Sequence, residues 1–320
     1  MRIAVYLPLL FPLLAALIAR PVGERLPPRL ATWLLTVGAL VLAAASTAAL
    51  GMLAITGLIR VPLLARLAHD HWSARAAQHH DPASLSVAVL AGAALAVVVA
   101  MAGRMLWRRA RTLARATSEA ACLPGRDQLV IVDDPAAQAY ALPGRPGRIV
   151  VSTGMLAALE PPEHQILLAH ERAHLAHRHH LFVALAQFGA AANPLLRPLA
   201  DTVAFTVERW ADESAATAVG DRERVARTIG KAALAARRTK ARGWIPSAAL
   251  GLLGRFGRFR SAGLGPVPRR VTALLAPAPH RHVWSAAALA GLAAATALCA
   301  AEAAHDLETL LELAKRAARA

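Results

Sequence analysis

Residues 169–180 read Ala169-His170-Glu171-Arg172-Ala173-His174-Leu175-Ala176-His177-Arg178-His179-His180, and this stretch decides how the chain is read. It contains an H-E-x-x-H pattern. Residues four apart lie on one face of an α-helix, so His170 and His174 can present imidazole nitrogens to a single metal ion. Glu171, beside the first histidine, is placed to act as a base toward water at that metal. Upstream, Glu163, Ile166, Leu167 and Leu168 read as a helix with an apolar side. The pattern predicts a helix from Pro162, a residue suited to the first helical turn, to about His180. Three fixed positions in five arise readily by chance, and a surface helix with coincidental residues is the bland alternative.

A second element argues against coincidence. Glu208-Arg209-Trp210-Ala211-Asp212 begins 34 positions after His174, enough chain for a return helix to pass the first. Glu208 is then the third ligand. Asp212, one turn later, can accept a hydrogen bond from the far nitrogen of a ligating histidine. Glu213 points about 100° away from Asp212 and is left out. A His, His, Glu set suits Zn²⁺, the expected cofactor. His180 offers a rival third ligand, but that geometry needs a glycine turn where this chain has His177. Without the turn the helix continues and carries His180 about 9 Å along the axis from His174. His177, His179 and His180 are therefore expected to face solvent or lipid headgroups.

Of the 320 residues, 56% are hydrophobic but only 4% aromatic, so Ala, Leu and Val supply the apolarity in long runs. Those runs predict a mainly α integral membrane protein with about four transmembrane helices, at residues 3–19, 30–59, 83–103 and 283–301. The net charge of +16 comes almost wholly from arginine. Its arginines cluster beside the apolar runs without interleaved aromatics, which favours a lipid bilayer as partner over direct nucleic-acid binding. Arg104, Arg108, Arg109, Arg111 and Arg115 follow the third run, and Arg20, Arg25 and Arg29 lie between the first two. By the positive-inside rule both groups are cytoplasmic, and Arg269, Arg270 and Arg281 before the last run agree. The expected topology has the N-terminus outside and the zinc motif in the cytoplasm. Cys122 and Cys299 suggest neither a disulfide framework nor a ligand pair.

Residues 1–103 thus form a membrane region, 104–275 a cytoplasmic α+β, gluzincin-like zinc peptidase domain, and 276–320 a last span with a short outer tail. Within the middle part, Gln128–Val132 and Arg148–Ser152 read as strands, separated by a turn-rich stretch punctuated by Pro143-Gly144 and Pro146-Gly147. Residues 181–200 are apolar but interrupted by Asn193-Pro194 and Arg197. They fit either core or a helix lying against the membrane. In the outer segment 60–82, His69, Asp70, His71, His79, His80 and Asp81 crowd together near Trp72. They form either a loop at headgroup level or a site that responds to metal or acid.

The stretch 139–156 (AYALPGRPGRIVVSTGML), HERAH at 170–174, Asn193-Pro194 and ERWAD at 208–212 together resemble the integral-membrane metallopeptidases of the BlaR/MecR antirepressor family. They are also similar to the HtpX-like and prenyl-protease group, which shares the motif order. Three spans before the zinc motif and one after it fit the antirepressor family better. The resemblance implies His170, His174 and Glu208 as zinc ligands and Glu171 as catalytic base. It also implies hydrolysis of a cytoplasmic or membrane-proximal protein, such as a transcriptional repressor. Broad membrane quality control is a second expectation, and a catalytically idle sensor or scaffold a third, against which the intact Glu171 argues. The short tail leaves no room for an extracellular penicillin-binding domain, so direct β-lactam sensing is not expected. The segment 148–152 is expected to pair with an extended substrate by strand addition.

Overall fold

The computed structural model describes residues 5–58, 85–122, 128–145, 147–239, 250–251, 266–277 and 283–319. The histidine-rich segment 60–82, with both expectations attached to it, lies outside the described residues. In chain order come α1 (Leu7–Arg25), α2 (Pro28–Leu58), α3 (Leu85–Cys122), β1 (Leu129–Val132), β2 (Ala139–Leu142) and β3 (Arg148–Ser152). They are followed by α4 (Thr153–Ala158), α5 (Pro161–Ala176), α6 (His179–Ala192), a 3₁₀ turn (Pro194–Leu196) and α7 (Arg197–Val219). The last elements are α8 (Arg222–Thr239), β4 (Leu250–Gly251), α9 (Pro266–Leu275) and α10 (Val283–Arg319).

Four helices, α1, α2, α3 and α10, are long and apolar enough to cross a membrane, the number expected from the sequence. Two of them run well past their apolar part. α3 continues through the arginine cluster to Cys122, and α10 continues to Arg319. Residues 104–122 are rich in Arg, Ala and Leu and contain neither Gly nor Pro, so nothing stops the helix where the lipid ends.

The sheet has the order β1-β3-β2-β4. β1 runs parallel to β3, with Leu129 opposite Ile149, while β2 and β3 form an antiparallel hairpin with Ala139 opposite Val151. β2 falls in the stretch read from sequence as turns. Its two alanines have little strand preference of their own, and pairing with Ile149–Val151 overrides this. β3 is buried along its whole length and hydrogen-bonded on both sides. Strand addition at 148–152 is therefore ruled out, because neither edge of that strand is open.

The metal-motif helix α5 starts with a reciprocal cap, in which the Glu160 backbone N–H donates to Glu163 Oε2 at 2.7 Å. It stops earlier than the pattern predicts. Arg178 adopts φ 51° and ψ 44°, the left-handed region, and α6 restarts at His179. The chain thus makes without glycine the turn that the sequence reading ruled out.

Residues 181–200 pack among the spans rather than on the surface. α6, the 3₁₀ turn and the first half of α7 form a hairpin whose corner is Asn193. The Asn193 side chain accepts from Leu195 N and donates to Ser46 Oγ, halfway along α2, at 3.1 Å. Trp33 meets Phe182 edge-on at 4.8 Å, and Thr32 bonds Thr206 at 2.9 Å. Close approach is possible because Gly23 of α1 faces α7: a Cβ there would stand 2.3 Å from Thr202 Cγ2. Ala15, Val22, Leu35, Val183, Leu199 and Val203 fill this first core. A second core joins Ile149 and Val151 of the sheet to Ile166, Leu167, Ile229 and Leu274. α7 takes part in both, since Ala215 and Ala216 near its end belong to the second.

Candidate metal centre

Helices α5 and α7 lie against each other, and the side chains that face across them are the ones the motifs single out. His170 Nε2 and His174 Nε2 are 3.2 Å apart. The Glu208 carboxylate oxygens stand 3.6 Å from the first and 3.7 Å from the second. His170, His174 and Glu208 form a group whose ligand atoms all lie within 4.8 Å of one another. All three, and Glu171 beside them, are almost wholly buried.

The surrounding partners fix which nitrogen faces inward. His170 Nδ1 lies 3.0 Å from Asp212 Oδ1, one turn beyond Glu208 on α7. His174 Nδ1 lies 2.9 Å from Nδ1 of His179. With protons held on the outward Nδ1 atoms, both Nε2 lone pairs converge with a carboxylate on one point, an arrangement suited to a cation. The local electrostatics agree. Burial alone would lower the His170 pKa, but Asp212 and Glu208 outweigh it and raise it to about 9, so these carboxylates call for positive charge at that imidazole. Burial holds His174 well below its ordinary value, neutral and ready to coordinate. The donor set therefore fits Zn²⁺.

Two members of this centre escaped the sequence reading. His179 was expected at the surface and is instead buried against His174, brought back by the Arg178 turn. Arg270, read only as a flanking positive charge, is completely buried. It forks onto Asp212, with Nε to Oδ2 at 2.8 Å and Nη2 to Oδ1 at 2.6 Å, while Nη1 reaches Glu208 Oε2 at 2.9 Å. Burial would raise the pKa of both carboxylates. Arg270 first, then the histidines, hold Glu208 below its ordinary value and Asp212 far below. No local spacing marks Arg270, which lies 58 positions from Asp212. His177 stacks on Trp210 at 4.7 Å, and His180 sits half-buried outside the centre.

Residues 104–240 match the model for peptidase family M48. That segment carries His170, Glu171, His174, Glu208 and Asp212, and the metal group within it is the one that the geometry assembles. The chain is a zinc metallopeptidase whose residues 104–240 are similar to family M48. No curated protein and no solved structure matches it. Four candidate spans make this metallopeptidase a multi-pass membrane protein. Two parts of its machinery lie close to those spans. Arg209, next to the ligand Glu208, donates through Nη1 to Gly23 O at 2.6 Å and Glu24 O at 3.3 Å, the carbonyls that end α1. Arg269, next to Arg270, donates to Glu24 Oε1 at 2.7 Å.

Proposed function

We propose that this metallopeptidase is a regulatory endopeptidase, acting on a cytoplasmic protein segment held at the membrane surface. The observation that carries the proposal is the course of α7. This one helix supplies Glu208 and Asp212 and is also buried among the spans α1 and α2. The metal centre is thereby tied to the bilayer, and substrates must come to it there. Its near-complete burial suits an enzyme whose access is switched rather than one open to any unfolded chain. The likeness to the BlaR/MecR antirepressors favours a transcriptional repressor as the substrate.

When bound by His170, His174 and Glu208, Zn²⁺ supplies Lewis acidity, lowering the pKa of water and polarising a carbonyl. Glu171 takes the water proton and returns it to the leaving amine. Asp212 holds the His170 ring with Nδ1 outward, and Arg270 fixes the Asp212 carboxylate in turn. His179 orients His174 in the same way.

The test is to express Glu171→Gln in cells and identify the proteins that accumulate cross-linked to it. One or a few cytoplasmic proteins, a DNA-binding protein among them, are expected. A trap filled with many unrelated misfolded membrane proteins would instead support broad quality control.

A further inference from the structure

On the side of α5 that faces away from the metal lies a groove of about 870 Å³. Its walls come from several parts of the chain, Gln128 just before β1 among them. Leu113 and Thr117 belong to the extension of α3, Arg145 to the turn between β2 and β3, Arg172 and Leu175 to α5, and Arg178 and His180 to the start of α6. Three arginines and a histidine line it, with no carboxylate among the lining residues. Among the described residues, none of Arg145, Arg172 and Arg178 is engaged in an ion pair. His180 feels this positive field: burial lowers its pKa, and Arg109 and Arg178 lower it further.

What gives the groove a specific occupant is its lower end. Leu181 lines it, and Leu185 follows four residues later on the same face of α6. The two are 42% and 43% exposed, unusual for leucines in a helix otherwise packed into the bundle. α6 runs from the groove along α2, with Phe182 at Trp33 and Asn193 at Ser46, so this apolar stripe descends into the span region. Beside it, Arg109 of α3 donates to Gln187 of α6 at 3.0 Å. A cationic pocket at the head of an apolar stripe complements an anionic phospholipid, with the phosphate group above and an acyl chain below.

We infer that this groove is a binding site for one anionic phospholipid, its phosphate held by Arg145, Arg172 and Arg178 and an acyl chain laid along Leu181 and Leu185. The lipid would brace the back of α5 and fix the height of the peptidase domain at the membrane.

Full-length protein in a neutral detergent is titrated with short-chain phosphatidylglycerol, and bound lipid is counted by native mass spectrometry. Phosphatidylcholine, glycerol 1-phosphate and an acidic peptide serve as comparison ligands. The double variant Arg145→Gln/Arg172→Gln should weaken phosphatidylglycerol binding roughly thirtyfold, about the effect of two basic residues at a membrane surface. Arg227→Gln, an exposed charge on α8, should not. Retained zinc content and thermal stability show that the double variant is folded. If it does not fold, the single variant Arg145→Gln, in the β2–β3 turn, is used and should give roughly fivefold. Unchanged phosphatidylglycerol binding in a folded variant overturns the inference. So does glycerol 1-phosphate binding as tightly as the lipid, which would make this a site for soluble phosphate. Tighter binding of the acidic peptide, lost in the same variants, overturns it in favour of substrate docking.

Discussion

Replacing Arg270 by leucine would leave the Asp212 and Glu208 carboxylates buried without their cation. Breaking a buried pair in this way costs about 3–5 kcal/mol. Arg270→Leu should therefore lower the unfolding midpoint strongly, and added zinc should recover only part of the loss, because the metal replaces the charge opposite Glu208 and not the fork to Asp212. Denaturant unfolding with and without zinc checks this. Arg270→Lys keeps the charge but loses the fork, and should fall between the two. At Glu171 the outcome separates chemistry from metal binding. Glu171→Gln should reduce peptide cleavage by roughly 10²- to 10⁴-fold, the range for a general base, with one zinc per chain retained. Glu208→Ala should lose the metal itself, and a Glu208→Ala protein with full zinc content would overturn its place as a ligand. Asp212→Ala should weaken zinc affinity by roughly 10- to 100-fold, measured by chelator competition.

At the scale of elements, the contact between α1 and α7 can be tested by a pair of substitutions. A methyl group at residue 23 would stand 2.3 Å from Thr202 Cγ2. Gly23→Ala must then push the helices apart or turn the threonine from its rotamer, at a cost of roughly 1–3 kcal/mol. Thr202→Ser removes the colliding methyl and keeps the hydroxyl, which donates to Pro198 O. The double variant should recover most of the melting temperature that Gly23→Ala loses, and purely additive losses would place the strain elsewhere. This contact also shows where the sequence stopped being legible. The spans were readable because twenty apolar residues are a local signal, and the paired motifs because helical spacing puts their members on one face. What could not be read depends on distant partners. β2 is a strand because of Ile149–Val151, the α5–α6 break depends on one arginine accepting a left-handed backbone, and His179 is interior because that break turns it inward. Residues 181–200 fitted two readings because their polar interruptions look wrong for a membrane. Asn193 is tolerated there because Ser46 of α2 answers it.

For the whole molecule, the placement of exposed arginines predicts which side of the membrane holds the metal centre. The arginines that suggest the cytoplasm do not all count equally. Arg270 is buried in ion pairs with the centre, and Arg269 is largely engaged with Glu24, so neither offers a free charge to a lipid headgroup. The orientation rests instead on the extension of α3, where Arg104, Arg108, Arg111 and Arg115 are exposed, and on the α1–α2 turn. Both groups sit at the same end of the bundle as α5, so the positive-inside rule predicts the metal centre inside and the start of α3 outside. The chain supplies its own reporter at the inner end, since Cys122 is an exposed free thiol where α3 finishes. Leu85, exposed at the opposite end of α3, is the natural site for a second. In intact cells a membrane-impermeant maleimide should label Leu85→Cys in a Cys122→Ser background, and should label Cys122 of the parent protein only after the membrane is opened. Cys299, in the apolar part of α10, should react slowly in both conditions, because a charged membrane-impermeant reagent does not enter hydrocarbon. Labelling of Cys122 in intact cells would put the peptidase site outside and exclude a cytoplasmic repressor as its substrate, while leaving the zinc chemistry intact.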